Sequence, residues 1–242
     1  MGRAGGGLNI VPSPRRLRGG PLGTGAARAS QIVAGAFTSG LVGACGRVWT
    51  WGHGGTWALG HGEQLHEFAP RQLLALSDYK ITSLALGQSH AMAAPHDGRK
   101  VFVWGTDSFG TLGYGDGNWQ QLPFAVPQEL KTLAPEIRTK SVSVGWQHSA
   151  LVDQGGALYT WGWSGAANSD RSWLDGGGGQ LGQGDDRDRW EPTPVSRLHT
   201  SEQRFYDLRM SYVKPWRVVQ VSAGRTHTAA VIDVELDMRD LA

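Results

Sequence analysis

Short runs of alternating apolar and small or polar residues recur along the chain, separated by turns that contain glycine. The run VSVGWQHSALV (142–152) is followed by the turn DQGG and by a second apolar run that ends at Trp161 and Gly162. A period of two places successive side chains on opposite faces of a strand. No segment of helical length with a 3.6-residue apolar period stands out. The pattern therefore predicts many short β-strands and no long helix.

The first apolar run of each unit carries a motif of one glycine, two variable residues, then His or Thr and a small residue. Four segments share it: IVAGAFTSGLV, LALGQSHAMAA, VSVGWQHSALV and QVSAGRTHTAAV. The repeat glycines are Gly35, Gly87, Gly145 and Gly224. The His/Thr position holds Thr38, His90, His148 and His227. A motif that returns in order along the chain indicates a repeat architecture.

Two further landmarks follow in each unit. A Trp-Gly pair ends the second run 13, 14 and 13 residues after the His/Thr position, at Trp51, Trp104 and Trp161. A glycine loop comes next, as ALGHG, TLGYGD and QLGQGD. The Trp-Gly pairs are 53 and 57 residues apart, a period found in propellers and solenoids. Radial repetition of small sheets protects strand edges, so these landmarks favour a β-propeller.

These ordered landmarks resemble the tandem repeats of the regulator of chromosome condensation family, over about residues 31–231. The resemblance implies an all-β fold, a seven-bladed β-propeller. The chain holds three full units and the start of a fourth, whereas seven units would need roughly 385 residues. We therefore expect an incomplete propeller, about half of the ring, with two apolar blade faces exposed. Another chain is a candidate to complete it.

The repeats divide the chain into two parts. Residues 1–30 form a basic Gly/Arg-rich tail or leader that we expect to be disordered, and residues 31–242 hold the repeats. The predicted units are 31–82, 83–140, 141–217 and a partial unit at 218–242. The third unit contains two insertions, at 166–177 and 196–217. Because insertions in repeat proteins map to loops on one face, we expect them to contribute to function.

Charge and cysteine content limit the possible partners and locations. Residues 1–62 hold six arginines and no lysine, aspartate or glutamate. Because the formal net charge of the whole chain is +2, the rest of the chain has a net charge of −4. Direct DNA binding by the propeller is therefore not expected. The single cysteine, Cys45, excludes an intrachain disulfide and favours the cytoplasm or nucleus. The Arg-rich N-terminus leaves an organelle as the alternative. No apolar stretch approaches the ~18 residues of a membrane span, so no membrane partner is expected.

The recurring histidines and tryptophans are predicted to be structural. A catalytic group is needed once, whereas His90, His148 and His227 recur at one position of the repeat. We expect them to be hydrogen-bonded inside the sheets, since buried polar groups are paired. The recurring tryptophans are expected to pack one blade on the next. The predicted structural positions are Gly35, Gly87, Gly145, Gly224, His90, His148, His227, Trp51, Trp104 and Trp161.

The two variable positions after each repeat glycine are predicted to form a partner-binding face. Trp146 stands out there, because the other units have Ala36, Gln88 and Arg225 at its position, and tryptophan is a good interface anchor. In the plant UV-B photoreceptor of this family, Gly-Trp-Arg-His-Thr recurs in successive blades; here one unit has the Trp and Gln147 replaces the Arg. The predicted partner-binding residues are Phe37, Gln88, Ser89, Trp146, Gln147, Arg225 and Thr226.

The sequence therefore predicts a non-enzymatic propeller module for protein–protein interaction, with regulation of a small GTPase as a candidate role. The resemblance offers guanine-nucleotide exchange on a Ran-like small GTPase as the alternative, and UV-B sensing as a third possibility. No catalytic residue, cofactor or metal is predicted. His53, His61 and His66 share one glycine-rich loop, but they lack a standard ligand spacing.

Overall fold

The computed structural model describes residues 28–115, 123–165, 178–199, 205–207 and 216–234. Residues 1–27 of the predicted tail, the insertion at 166–177 and most of the insertion at 196–217 lie outside these ranges. Within them the chain is built from antiparallel strands, and its helical content is one 3-10 turn at Leu74–Leu76. None of the helical structure in the described ranges is long and apolar enough to cross a membrane. The all-β expectation is confirmed.

Three four-stranded antiparallel meanders follow one another along the chain, and we call them blades 1 to 3. Blade 1 consists of β1 (Ala29–Ala34), β2 (Thr38–Gly43), β3 (Val48–Gly52) and β4 (Glu67–Gln72). Blade 2 consists of β5 (Ile81–Leu86), β6 (His90–Pro95), β7 (Phe102–Gly105) and β8 (Phe124–Glu129). Blade 3 consists of β9 (Thr139–Val144), β10 (His148–Asp153), β11 (Leu158–Gly162) and β12 (Arg189–Pro194).

A half blade completes the described structure. A small hairpin of β13 (Arg197–His199) and β14 (Phe205–Asp207) lies in the link after blade 3. The strands β15 (Trp216–Ala223) and β16 (Thr228–Val234) then pair with each other, and we call them blade 4. They correspond to the first two strands of the complete blades. The expectation of a propeller with three full repeats and the start of a fourth matches this architecture. The first strand begins at Ala29, so its first two residues lie within the predicted tail.

The meander places an inner loop of every blade and an outer loop of blades 1 to 3 at the same end, which we call the top face. The inner loops join the first and second strands, at 35–37, 87–89, 145–147 and 224–227. The outer loops join the third and fourth strands of blades 1 to 3, and their described residues are 53–66, 106–115 and 123, and 163–165 and 178–188. The ends of the insertion in blade 3 meet there, because the Gly178 amide donates to the Gly165 carbonyl at 3.1 Å.

Successive blades share apolar cores. The core between blades 1 and 2 joins Val42 and Val48 to Leu84 and Trp104. The core between blades 2 and 3 joins Met92 and Val103 to Val142 and Trp161. The core between blades 3 and 4 is smaller: its buried members are Ala150, Val152, Leu158 and Val218.

The repeat glycines set the distance between neighbouring inner strands. A Cβ atom on Gly35 would lie 2.5 Å from the Gly87 carbonyl oxygen, and the same distance separates Gly87 from Gly145 and Gly145 from Gly224. Real Cβ atoms essentially never come so close to a backbone oxygen. The motif therefore needs glycine because neighbouring backbones touch at this point.

The glycine of each Trp-Gly pair fixes the inner loop to the outer loop. Gly52, Gly105 and Gly162 have φ angles of +112°, +104° and +103°, which favour glycine. The residue after each of these glycines donates its amide to the inner loop of the same blade. The bonds run from His53 to Phe37, from Thr106 to Ser89 and from Trp163 to Gln147, at 2.9, 2.8 and 2.8 Å.

Candidate functional site

The recurring histidines join one blade to the next. His90 Nε2 lies 2.9 Å from Ser149 Oγ in blade 3, and both side chains are fully buried. Ser149 Oγ donates in turn to the Thr111 carbonyl in the outer loop of blade 2, at 2.8 Å. His148 Nε2 repeats the link at 3.0 Å from Thr228 Oγ1 in blade 4. His90 and His148 therefore lie inside the blade junctions, where a substrate cannot reach them. The expectation of a buried histidine is wrong for His227, which is exposed because no described blade follows it.

Burial keeps these two histidines neutral. Desolvation, with a smaller contribution from His148, lowers the pKa of His90 to about 3. Desolvation likewise lowers the pKa of His148 to about 4. Its neighbour His227 has two opposite effects on this pKa: a backbone hydrogen bond raises it and charge repulsion lowers it. Neutral imidazole can both donate and accept, which suits a buried link to a hydroxyl group.

The tryptophans of the Trp-Gly pairs contact the preceding blade, whereas His90 and His148 contact the following blade. Trp104 Nε1 donates to the Ala58 carbonyl in blade 1 at 2.8 Å, and Trp161 Nε1 donates to the Thr111 carbonyl in blade 2 at 3.0 Å. Both side chains are completely buried. Trp51 is only half-buried, because no described blade precedes blade 1.

An open cavity of about 470 Å³ lies on the top face, where the inner loops of all four blades converge. Its floor consists of the repeat glycines and of the last residue of each inner strand: Ala34, Leu86, Val144 and Ala223. Its rim carries the first variable residue of each unit and Phe37: Ala36, Phe37, Gln88, Trp146 and Arg225. Phe37 is 64% exposed, so an apolar ring is available to a partner there.

The rim contains one cation held against an aromatic ring. The guanidinium carbon of Arg225, from blade 4, lies 4.2 Å from the centre of the Trp146 ring, from blade 3. This cation–π contact orients both side chains without burying the guanidinium, since Arg225 remains exposed. Arg225 is the only charged residue among the described residues that line the cavity, so the site is positive.

Four of the seven predicted partner-binding residues meet in this cavity: Phe37, Gln88, Trp146 and Arg225. Ser89, Gln147 and Thr226 do not line it. The carbonyls of Ser89 and Gln147 instead hold the outer loops. The small and aliphatic floor residues were not predicted from the sequence. Their signal is positional, since each directly precedes a repeat glycine.

A second aromatic group extends outward from Phe37 over blade 1. The His53 ring is 6.1 Å from the Phe37 ring and 4.7 Å from the His66 ring, which in turn lies 6.4 Å from Phe68. His61 is separate, with its Nε2 atom 2.9 Å from Thr50 Oγ1. Among the described residues, no group of three or more His, Cys, Asp or Glu side chains is placed to hold a metal ion.

The family profile described as the regulator of chromosome condensation (RCC1) repeat matches residues 45–94, 98–152 and 172–231. A second profile of the same name matches residues 140–166. The chain belongs to the RCC1-repeat family. Residues 45–231 thus contain three matched RCC1 repeats, in agreement with the resemblance found in the sequence.

Known relatives share this repeat. The ultraviolet-B receptor UVR8 of Arabidopsis thaliana is 36% identical over 186 residues, covering 77% of this chain and 35% of the receptor. The mitochondrial RCC1 domain-containing protein RUG3 of the same plant is 30% identical over 191 residues, covering 78% and 36%. The chain thus spans about a third of the length of these relatives.

Among solved structures, Prp20p of Saccharomyces cerevisiae matches with a TM-score of 0.65 and 18% identity, covering 88% of this chain and 45% of Prp20p. This likeness shows that the RCC1-repeat chain has the fold of an RCC1 propeller over about half of the ring.

Proposed function

We propose that this RCC1-repeat chain is a non-enzymatic module that binds a protein partner at the top-face cavity. The observation that carries the proposal is the convergence of the variable positions of four blades on one cavity, with Arg225 stacked on Trp146 at its rim. Tryptophan and arginine are the side chains most enriched among interface hot spots. The RCC1-repeat relatives support the general role of an interaction module.

The backbone of the cavity restricts where specificity resides. Its glycine floor cannot accept side chains, because Gly35, Gly87 and Gly145 each touch the carbonyl of the next repeat glycine. Recognition therefore depends on the rim, where Phe37 and Trp146 supply apolar surface, Gln88 supplies hydrogen bonds and Arg225 supplies charge. A partner that fits this rim presents an apolar side chain next to a carboxylate, which pairs with guanidinium in a strong, oriented contact.

Alanine at Trp146 or Arg225 is expected to weaken partner binding at least tenfold, as for an interface hot spot. The probes are Gsp1p and histones, because Prp20p was characterised with its binding to both, together with a panel of small GTPases. Affinities are measured by titration calorimetry. The matched controls are Phe68→Ala, an exposed aromatic outside the cavity, and Arg99→Ala, an exposed arginine in the loop between β6 and β7 at the opposite end of blade 2.

One outcome would contradict the proposed site, and a second would exclude the chosen probes as partners. Equal binding by the wild-type protein and both cavity variants would place the interaction elsewhere. Binding of none of these probes by the wild-type protein would remove small GTPases and histones as its partners.

Guanine-nucleotide exchange on a small GTPase is the alternative within the same partner class. It needs a surface that displaces nucleotide and no catalytic side chain. A fluorescent-nucleotide release assay across the GTPase panel separates exchange from simple binding. Under the proposed function we expect binding without accelerated release, and release that accelerates with added protein would establish exchange instead.

UV-B sensing is a third candidate because Arg225 stacks on Trp146 and because UVR8 is a relative. One unit alone carries tryptophan at this position, however, and Gln147 follows it. A change in oligomeric mass or tryptophan fluorescence on UV-B irradiation would support this role.

We propose a cytoplasmic or nuclear location. An organelle is the alternative that the Arg-rich N-terminus and the mitochondrial relative RUG3 support.

A further inference from the structure

A basic residue stands seven positions before each repeat glycine. The four residues are Arg28, Lys80, Arg138 and Arg217. They lie where the first strand of each blade starts, at the end opposite the top face. The backbone there closes the hairpin of the same blade: the His96 amide donates to the Lys80 carbonyl at 2.8 Å, and the Gln154 amide donates to the Arg138 carbonyl at 2.7 Å. Since any residue offers a carbonyl, this bond does not explain why the side chain is basic.

The side chains at this position carry positive charge that no acid neutralises. Arg28, Lys80 and Arg217 are exposed, whereas Arg138 is half-buried. The guanidinium of Arg138 donates to the carbonyls of Pro135 and Ile137. None of the ion pairs within the described ranges includes one of the four residues. The repeat therefore presents a free cation at the same level of each blade.

Lys80 and Arg138 belong to a basic bottom face. We define this face by the loops opposite the top face: the hairpins at 44–47, 96–101 and 154–157, and the links between blades at 73–80 and 130–138. The six basic side chains in these loops are Arg47, Lys80, Arg99, Lys100, Lys131 and Arg138, and the three acidic ones are Asp78, Asp97 and Glu136. Of the six, only Lys100 has an ion-pair partner in the described structure, Glu129 at 2.8 Å. The top-face loops of blades 1 to 3 have the opposite balance, with five acids and one arginine among their described residues.

The bottom face also exposes aliphatic surface, but no free aromatic ring. Leu74, in the link at 73–80, is 71% exposed. Tyr79 is the only aromatic residue in the bottom-face loops as defined, and it is half-buried, with its ring centre 4.6 Å from that of Phe102. Proteins that bind single-stranded nucleic acid stack bases on aromatic side chains, and duplex grooves are read by helices or β-ribbons. Hairpin loops of four to six residues supply neither, so the face suits a different anionic target.

We propose that the bottom face docks on the anionic surface of a lipid bilayer. The loops of successive blades lie at one end of the array, so their cations reach a planar surface together. Clusters of Lys and Arg bind anionic headgroups in this way, and an exposed leucine adds apolar contact at the headgroup boundary. The acidic top-face loops are repelled by the same surface, which leaves the top-face cavity open to a protein partner. This peripheral contact needs no membrane-spanning segment, so the absence of one in the sequence does not bear on it.

Vesicle sedimentation with the full chain tests the proposal. The wild-type chain is expected to bind vesicles of phosphatidylcholine mixed with phosphatidylserine and not vesicles of phosphatidylcholine alone. Raising the salt from about 0.1 M to about 1 M is expected to release it, because the Debye length shortens from about 10 Å to about 3 Å. Lys80→Gln is expected to weaken binding about fivefold, and the triple variant Lys80→Gln, Arg99→Gln and Lys131→Gln roughly a hundredfold. All three residues are exposed, so the variants are expected to fold, which thermal unfolding checks.

The matched control is Arg187→Gln, which removes an exposed cation from the top face and is expected to leave vesicle binding unchanged. Trp146→Ala is also expected to bind vesicles like the wild type, which separates this surface from the proposed partner site. Equal binding to both kinds of vesicle, or binding to neither, would overturn the proposal. So would a triple variant that binds like the wild type. Tighter binding to duplex DNA than to the phosphatidylserine vesicles at the same salt, lost in the triple variant, would assign the face to nucleic acid instead.

Discussion

Replacement of Trp161 by alanine is expected to lower the free energy of unfolding by about 3–5 kcal/mol, the usual cost of removing a buried tryptophan. The side chain is completely buried in the core between blades 2 and 3. The substitution also leaves the Thr111 carbonyl without the indole N–H that now donates to it. Urea denaturation followed by circular dichroism measures the change.

Trp51→Ala is the matched control, because Trp51 holds the same repeat position in blade 1 but is half-buried. Its expected cost is well below that of Trp161→Ala, since less apolar surface leaves contact with protein. If Trp161→Ala does not fold, Trp161→Phe keeps the comparison, since it retains the ring and loses the hydrogen bond. Equal losses at the two positions would show that these tryptophans do not act through contacts with the preceding blade.

Stability is expected to fall as the pH is lowered from about 6.5 towards 4. In the unfolded chain His90 and His148 take up protons near the ordinary value of 6.5, whereas burial holds their pKa in the folded chain at about 3 and 4. Over this window the unfolded state binds more protons, so acid favours unfolding. Each histidine makes the free energy of unfolding fall by up to about 1.4 kcal/mol for every pH unit in this window. Above the pKa of the unfolded histidine, its contribution to stability no longer changes with pH.

Urea denaturation between pH 7.5 and pH 5 measures this slope in a range where most carboxylates stay ionised. His148→Gln is expected to remove about half of it, because glutamine does not titrate and can still hydrogen-bond to Thr228. His96→Gln is the control, since His96 is exposed. An unchanged slope in His148→Gln would contradict the link between burial of the histidines and acid sensitivity.

The repeat carried most of the information about the fold, because its constraints are local. The glycine of each Trp-Gly pair needs a positive φ, so it marks the end of the third strand in blades 1 to 3. The repeat glycines mark the contact between neighbouring backbones. A sequence that returns to such residues at fixed spacing specifies strands, turns and blade order without information from distant positions.

The contacts between blades could not be read in the same way. His90 finds its partner 59 residues later, at Ser149, and nothing in the spacing shows which neighbour it faces. The repeat itself contains one usable signal. Where the histidine is replaced, by Thr38, the hydroxyl at the partner position of the next blade is also replaced, by Ala91.

Position in the array also decides what a repeat residue does. Trp51 and Trp161 look equivalent in the sequence, but only Trp161 has a described blade in front of it. The candidate site shows the same dependence. Trp146 stood out by its residue type, whereas Arg225 becomes part of the site because blade 4 places it over the Trp146 ring.

The junction between blades 1 and 2 differs chemically from the two that follow. Thr38 and Ala91 replace the histidine and its hydroxyl partner there, so this link between blades contains no group that acid can protonate. Its apolar core is also larger than the one between blades 3 and 4. We therefore expect acid to weaken the junctions between blades 2 and 3 and between blades 3 and 4 first, because these contain His90 and His148. Blades 1 and 2 are then the last pair of blades to stay folded.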